Sequence, residues 1–386
     1  TRARLARRAI RLGRSLLDSG VLVRLPEPDD TGRAVALTVD LPPDFALNQP
    51  LAHFALAALD VLDREAPAYP LDVVSVVEAV LDDPRPVLMA QQYAARGAAV
   101  AEMKADGVEY EERMALLEDV TWPKPLEELL EAAYAIYRRT HPWLHEDALS
   151  PKAIVREMWE TGMSFGDLVG RYQLGRSEGV VLRYLSDAYR TLRQTVPDAY
   201  RTEGLEEIVE WLGETVRQTD SSLLDEWEAL TSAEPVGEVA AEVSHHGAGD
   251  GARPQRPVTA NERAFRAMVR GAVFRRVLLA ARDDLDALAA IEPPDGPMSR
   301  TAWDEALGAY WEEHDEIGTD ADARGPQYLR IEAAAATPGL PRRWLVTQTI
   351  ADPAGDHDWV IEATVDLDAS DEAGEPALVT TALRRL

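Results

Sequence analysis

Prolines recur through residues 46–230 and divide this stretch into segments of about 10–30 residues. Proline breaks a helix interior because it lacks an amide hydrogen and clashes with the preceding turn. Apolar residues within the segments follow helical spacing, as Leu126, Leu129, Leu130, Ala133 and Tyr137 do. Ser150-Pro151 has the residue types of an N-cap followed by a first helical position. The pattern predicts a bundle of helices over residues 46–231, with one helix starting at Pro151.

The N-terminal residues 1–45 have a different pattern. Residues 3–19 have amphipathic helical spacing, and two strand-like runs follow at 21–25 and 34–41 with a turn-rich segment between them. A helix followed by two strands is the order found at the end of a winged helix. A β-hairpin on any other α+β domain would have the same order, so both interpretations remain.

The C-terminal part predicts a separate α+β domain. Residues 232–257 are rich in Gly, Pro and Ala and indicate a flexible linker. Helical segments then occupy 259–290 and 299–316, and strand candidates follow at 342–352, 358–368 and 376–386, with a possible fourth at 328–332. We therefore expect a mainly α protein with a C-terminal α+β domain at 258–386. Its helices pack on an antiparallel sheet, and the topology resembles the nuclear transport factor 2-like cone fold.

Composition limits the classes of function. The net charge of −28 opposes non-specific binding to nucleic acid or anionic membrane, so a nucleic-acid contact has to be local. The chain has no cysteine, which excludes disulfides, thiolate zinc sites and cysteine nucleophiles. There is no apolar run of membrane-spanning length and no signal-peptide pattern. Because the sequence begins with Thr1, we expect part of a longer, cytoplasmic protein.

Motifs for catalysis or metal binding are weak. There is no GxxxxGK[ST] phosphate-binding loop, and Asp225-Glu226-Trp227-Glu228 matches a DExx box only by its letters. His141 and His145 are four residues apart, but Pro142 opposes a continuous helix between them. His245-His246 falls in the linker, and His314 lies among acidic residues. The sequence therefore predicts no catalytic residue, metal site or cofactor site in this chain.

Aromatic residues in the C-terminal domain allow two interpretations. A cone-like domain could line a pocket with them, or they could form its core, which is the simpler explanation. These residues are Trp303, Tyr310, Trp311, Trp344 and Trp359.

The segment from Met158 to Gln194 carries the clearest local pattern. Ser164 with Asp167 three residues later is close to a capping box. In the long helical segment that follows, Val180, Val181, Leu185, Tyr189 and Leu192 are predicted to face a core. Arg176, Arg183 and Arg190 recur every seven residues, and Asp187 lies between the last two on the same face. Without further information, this is a solvated face with an internal ion pair.

The same segment resembles the C-terminal helical domain of superkiller-type DExH RNA helicases. The resemblance is carried by the aromatic, Gly and Ser-Phe start, by Glu178-Gly179, by Arg183, and by the closing Leu192-Arg193-Gln194. It implies that the helix after Glu178-Gly179 is a ratchet helix that touches the translocating strand. Arg176, Arg183, Asp187 and Arg190 are then the nucleic-acid-binding residues. Asp187 stands where relatives often carry Arg, so the acidic side chain interrupts the basic stripe.

The resemblance also implies a place in a larger machine. Actinobacterial helicases of this type carry a further C-terminal domain of unknown function, which residues 258–386 resemble. We therefore expect an accessory region of an ATP-dependent helicase that binds single-stranded RNA or DNA. It would be a non-enzymatic part of an enzyme, with ATP and Mg²⁺ bound by upstream helicase core domains. The alternative is a stand-alone helical scaffold whose cone-fold module binds a ligand or a protein partner, or forms a dimer.

Overall fold

The computed structural model describes residue 17 and residues 22–26, 28, 33–37, 51–141, 144–145, 148–220, 256–334 and 341–386. The predicted helix at 3–19 apart from residue 17, the DEWE sequence at 225–228 and nearly all of the predicted linker lie outside these ranges. The chain divides into two compact units. The first contains Thr1–Arg156 and Val169–Val209, and the second contains Glu157–Leu168 and Glu210–Leu386. The division therefore falls at other places than the predicted boundary at 231.

Among its described residues, the first unit contains helices and one β-hairpin. Strands β1 (Leu22–Arg24) and β2 (Val35–Leu37) pair antiparallel, as the two strand-like runs predicted. The helices are α1 (Ala52–Leu59), α2 (Tyr69–Val80), α3 (Arg85–Ala105), α4 (Tyr110–Leu116), α5 (Glu127–Thr140) and α8 (Glu178–Thr195). Three further helices, α6 (Val155–Thr161), α7 (Phe165–Arg171) and α9 (Glu203–Thr219), run across the unit boundaries.

Aromatic packing holds the centre of the first unit. Phe54 of α1 is buried, and its ring meets those of Tyr134 and Tyr137 of α5 edge-on at centroid distances of 5.0 and 5.5 Å. By contrast, α3 and α4 are mostly exposed: no residue of α4 is buried, and Tyr93 of α3 is 83% exposed. Gly107, at a φ of 73°, makes the turn between them. The two helices and this turn are therefore the most exposed part of the helical region that the structure describes.

The prediction of a helix starting at Ser150-Pro151 is wrong. Helix α6 begins at Val155, and its first amide groups donate to a side chain distant in sequence. The Glu78 carboxylate accepts hydrogen bonds from the amides of Ile154 at 2.8 Å, Val155 at 2.9 Å and Arg156 at 3.2 Å. These are the groups that a local N-cap would otherwise satisfy. A tertiary contact therefore sets the start of α6.

The second unit combines helices with an antiparallel meander. Its helices are α10 (Glu262–Ala281), α11 (Leu285–Ala290), α12 (Arg300–Trp311) and α13 (Leu367–Ala373). Strands β3 (Leu329–Ala333), β4 (Arg343–Thr349), β5 (Trp359–Asp366) and β6 (Ala377–Arg385) form one sheet in the order β3-β4-β5-β6. This confirms all four strand candidates and the mainly α class with a C-terminal α+β domain.

Alternation along the strands places one face of the sheet in the core. In β4, Trp344, Val346 and Gln348 are buried, whereas Leu345 between them is 46% exposed. Helix α10 lies against this sheet, with the Phe265 ring 5.1 Å from that of Trp344. Trp303 and Tyr310 are fully buried in the same unit. The core interpretation of these aromatic residues is therefore confirmed.

Residues 371–375, which have the composition of a turn, lie at the end of a helix. Asp366 caps α13 by accepting from the amides of Asp368 and Ala369, and Gly374 ends it at a φ of 74°. A capping Asp and a C-terminal Gly with seven residues between them suffice for two helical turns. Within the ranges described by the structure, no helix is long and apolar enough to cross a membrane.

Candidate functional sites

Helix α8, which contains most of the predicted binding residues, is anchored by its buried face. Val181, Leu185 and Leu192 are almost fully buried, as predicted, but Val180 in the first turn is 42% exposed. The Tyr184 hydroxyl donates to Glu78 Oε1 at 2.8 Å, so one carboxylate holds both α6 and α8. Burial and the neighbouring Glu78 raise the pKa of Tyr184 well above its ordinary value, which keeps this hydroxyl protonated as a donor.

Three of the four predicted binding residues lie together on the opposite side of α8. Arg183 is exposed, and Asp187 and Arg190 are half-buried. Arg176 is exposed but lies in the turn before the helix, which starts at Glu178 after Ser177 as its N-cap. The prediction of one helical stripe through Arg176 is therefore wrong. The regular stripe consists of Arg183, Asp187 and Arg190.

The electrostatics around Asp187 are mixed. Burial raises the pKa of its carboxyl above the ordinary value, the positive charges of Arg190 and Arg183 act in the opposite direction, and Asp82 adds to the increase. The stripe therefore places an acidic side chain between two arginines on one face of α8. Such a surface can bind phosphate groups through its arginines and accept a hydrogen bond from a base or sugar hydroxyl.

A second candidate site is a cavity of about 530 Å³ that lies wholly within the second unit. Its floor is buried and rich in sulfur and aromatic groups, with Met158, Met163, Met268, Trp159 and Trp211. Exposed residues at its rim open it to solvent. These are Gly166, Thr219, Ala290, Ala373 and Glu375.

Two glycines bring the walls of the cavity together. Gly162, at a φ of 63°, packs against the backbone of Gly271 in α10, and a β-carbon at Gly162 would overlap the Gly271 carbonyl oxygen. Glycine at 162 is therefore required by both its backbone conformation and its contact. Packing inside the second unit therefore explains why glycine occupies this position of the segment from Met158 to Gln194.

The start of α7 carries a capping box that continues into an ion pair. Asp167 Oδ2 accepts from the Ser164 amide at 3.0 Å, while Ser164 Oγ accepts from the Asp167 amide at 3.2 Å, as predicted. Arg275 of α10 lies 2.5 Å from the same Asp167 oxygen. Burial alone raises the pKa of Asp167, but the hydrogen bonds from Arg275 and Ser164 outweigh it and hold the pKa below its ordinary value. Asp167 therefore stays ionised and fixes Arg275 at the cavity wall.

Two further arginines line the cavity. The Arg324 guanidinium lies 4.7 Å from the ring centre of Trp159 and 5.4 Å from that of Phe274, and it donates to the Trp159 carbonyl. Arg276 also lines the cavity but is buried, and it donates to Glu292 and to Thr380, each at 2.7 Å. Arg275 and Arg324 are half-buried, so they are the cations that reach the cavity surface.

Sequence reasoning missed this cavity, because its residues come from segments far apart in the chain. The alternative pocket that it considered, lined by aromatic residues of the C-terminal domain, lies elsewhere, because those residues form the core. One signal was present: Arg276 follows Val269 and Val273 and precedes Ala280 on the apolar stripe of α10. An arginine on a buried stripe requires an internal partner, which indicates a polar site within the domain.

The histidines do not form a metal site among the residues that the structure describes, where no group of three or more potential ligands occurs. His141 stacks on Tyr137 at 3.9 Å, and its Nδ1 lies 3.0 Å from the Tyr137 carbonyl oxygen. The pair His141 and His145 is therefore not a shared binding unit.

Comparison with known proteins gives a family without a described activity. No curated protein and no solved structure matches the chain. One family model, described as Domain of unknown function (DUF3516), matches residues 1–383. Since this match covers nearly the whole chain, the protein belongs to the DUF3516 family.

Proposed function

We propose that this chain is an accessory region of an ATP-dependent helicase and that α8 contacts a single strand of RNA or DNA. The main observation behind this proposal is the position of Arg183 and Arg190. They lie two turns apart on the face of α8 that is opposite its buried side. Arginine binds phosphate through a planar set of donors and stacks on bases, so it serves strand contact without sequence selection. The similarity of this segment to superkiller-type helicases supports the same assignment.

The rigidity of α8 supports a role in guiding a strand. Glu78 connects α2, α6 and α8 through four hydrogen bonds, and Arg156 adds a 3.0 Å ion pair to Asp72 of α2. A helix held in this way keeps Arg183 and Arg190 at a fixed spacing. Binding sites on well-supported helices are positioned more accurately than sites on loops.

The large negative charge of the chain limits nucleic-acid binding to a few local cations. With a net charge of −28, general electrostatic attraction to nucleic acid is absent, so binding must depend on a few local cations. Each phosphate contact to a single strand makes the slope of log affinity against log salt concentration more negative by about 0.7. Two such contacts therefore give a slope of about −1.4.

The test is Arg183→Gln combined with Arg190→Gln in the full chain. We expect weaker binding of labelled oligo-U or oligo-dT in fluorescence anisotropy. The slope of log affinity against log salt concentration should become shallower by about 1.4. The matched control is Arg139→Gln, which removes an exposed cation from α5 in the same unit. Unchanged affinity and slope in a double variant that melts like the wild type would refute the strand contact.

Comparing the two oligonucleotides also addresses the nature of the strand. A preference for oligo-U indicates that a 2′-hydroxyl is recognised, and Asp187 is the acceptor available for it on α8. Under this proposal the chain acts in the cytoplasm with helicase core domains as partners, and those domains bind ATP and Mg²⁺. Strand-stimulated ATP hydrolysis by a protein that joins such domains to this chain should fall in the same double variant.

The cavity of the second unit favours a second candidate, a helical scaffold with a ligand-binding module. In that case the oligonucleotides would bind weakly, with the same affinity in wild type and double variant. A dimer through the C-terminal domain, the remaining alternative, would appear as a concentration-dependent mass in light scattering.

A further inference from the structure

The cavity of the second unit has a chemical character that points to a class of ligand. Ligand sites are concave, mostly apolar, about 300–1,000 Å³ in volume and equipped with a few converging polar groups. This cavity has about 530 Å³, a floor of methionine and tryptophan side chains, and two guanidinium groups at its wall. Methionine is polarisable and adapts to flat or irregular apolar surfaces.

The two arginines are held in place before any ligand arrives. Asp167 holds Arg275, and the Trp159 carbonyl and ring hold Arg324. A guanidinium carries five N–H donors in a rigid fork, which matches the geometry of a carboxylate or phosphate. A preset donor geometry reduces the entropy lost when an anion binds.

The helices around the cavity keep it open. Gly162 and Gly271 bring one wall into backbone contact, and the buried network of Arg276, Glu292 and Thr380 holds α10 to β6. The floor therefore cannot collapse easily around the empty space. The cavity is therefore a preformed concave site that a ligand can enter from solvent.

We propose that this cavity binds a small organic anion, whose apolar body lies on Met268, Trp159 and Trp211. Its carboxylate or phosphate group contacts Arg275 and Arg324. The proposal is independent of strand binding by α8, because every residue used belongs to the second unit. Loss of either activity by substitution should leave the other unchanged.

The first test uses two dyes that differ by one anionic group. 1-Anilinonaphthalene-8-sulfonate has a flat apolar body and a sulfonate, and N-phenyl-1-naphthylamine has the same body without the charge. We expect one sulfonate dye per chain to bind with enhanced fluorescence, and about tenfold tighter than the neutral dye. Equal affinity for the two dyes would overturn the anion assignment.

Variants locate the site. Arg275→Gln keeps a hydrogen-bond donor for Asp167 but removes the charge, and we expect about tenfold weaker binding of the sulfonate dye. Ala272→Leu fills the cavity from its half-buried wall and should abolish binding of both dyes. Arg266→Gln is the matched control on the same helix outside the cavity, and should bind like the wild type. Wild-type binding by both cavity variants would overturn the proposal, and the Arg275 variant keeps it testable if Ala272→Leu fails to fold.

Displacement of the bound sulfonate dye by competitors distinguishes a phosphate ligand from a carboxylate ligand. Adenosine monophosphate provides a flat ring with a phosphate, and benzoate provides a flat ring with a carboxylate. Displacement of the sulfonate dye by one of them assigns the cavity to phosphate esters or to carboxylates. Retention of the dye against millimolar concentrations of both would contradict an organic-anion site.

Discussion

Each unit contains a buried glutamate that ties distant segments together, but the two glutamates are satisfied by different kinds of partner. Glu78 in the first unit accepts from three backbone amides and from the Tyr184 hydroxyl, all of which are neutral. Glu292 in the second unit accepts from the Arg276 guanidinium at 2.7 Å and from Thr380 at 2.6 Å. The first arrangement is a tertiary helix cap, and the second is a buried ion pair.

The difference determines what happens when one partner is removed. Burial raises the pKa of Glu78, and the hydrogen bonds from the backbone and Tyr184 act against this increase. Burial likewise lowers the pKa of Arg276, while the Glu292 carboxylate acts in the opposite direction. A buried charge without a partner lowers the free energy of unfolding more than a buried amide without a hydrogen-bond acceptor does. The second unit should therefore be the more sensitive to a single substitution.

The largest expected effect is that of Arg276→Met. It leaves Glu292 buried without its cation and should destabilise the second unit by about 4 kcal/mol. Adding Glu292→Met should recover much of this loss, because two apolar side chains replace the pair. Hydrogen exchange of peptides from β5 and β6 measures the effect in this unit alone. If the double variant exchanges as fast as the single one, removing the unpaired charge of Glu292 does not restore stability. The network then stabilises the unit through its hydrogen bonds and packing as well as through its charges.

A smaller effect is expected for Glu78→Ala, which leaves three amides at the start of α6 without their acceptor. We expect a loss of about 3 kcal/mol, measured by hydrogen exchange of peptides from α6 and α8. Tyr184→Phe is the matched partial change, because it removes one hydrogen bond and keeps the ring, at a cost of about 1 kcal/mol. Equal effects of the two substitutions would show that the amides find another acceptor.

The contrast between these two glutamates also explains what could be predicted from the sequence. The sheet was predictable because alternation and turns are local signals, and the capping box of Ser164 and Asp167 was predictable because its partners are three residues apart. The start of α6 was mispredicted because its cap, Glu78, lies more than seventy residues away along the chain. No local pattern encodes such a contact.

The two candidate sites follow the same rule. The stripe of Arg183, Asp187 and Arg190 on α8 could be read from helical spacing, because one helix carries all three. The cavity depends on Asp167 meeting Arg275 and on Gly162 meeting Gly271, which are pairs separated by more than a hundred residues. Only the folded second unit brings them together.

The smallest expected effect is a pH dependence confined to the first unit. Burial, with a further contribution from His141, lowers the pKa of His53 in α1 below its ordinary 6.5. The unfolded chain therefore binds a proton at a higher pH than the folded one. The stability from neutral His53 is present above pH 6.5 and is lost as the pH falls below it.

The measurement is hydrogen exchange of α1 and α2 peptides between neutral and mildly acidic pH, corrected for the intrinsic exchange rate at each pH. We expect the wild type to lose protection below about pH 6.5 and His53→Gln to lose less, since the variant has no titrating group at this position. His145→Gln is the control, because this side chain is exposed in the same unit. Peptides from β5 and β6 should show no difference between His53→Gln and the wild type. An identical pH dependence of α1 in wild type and His53→Gln would show that His53 is protonated in the folded state without a cost in stability.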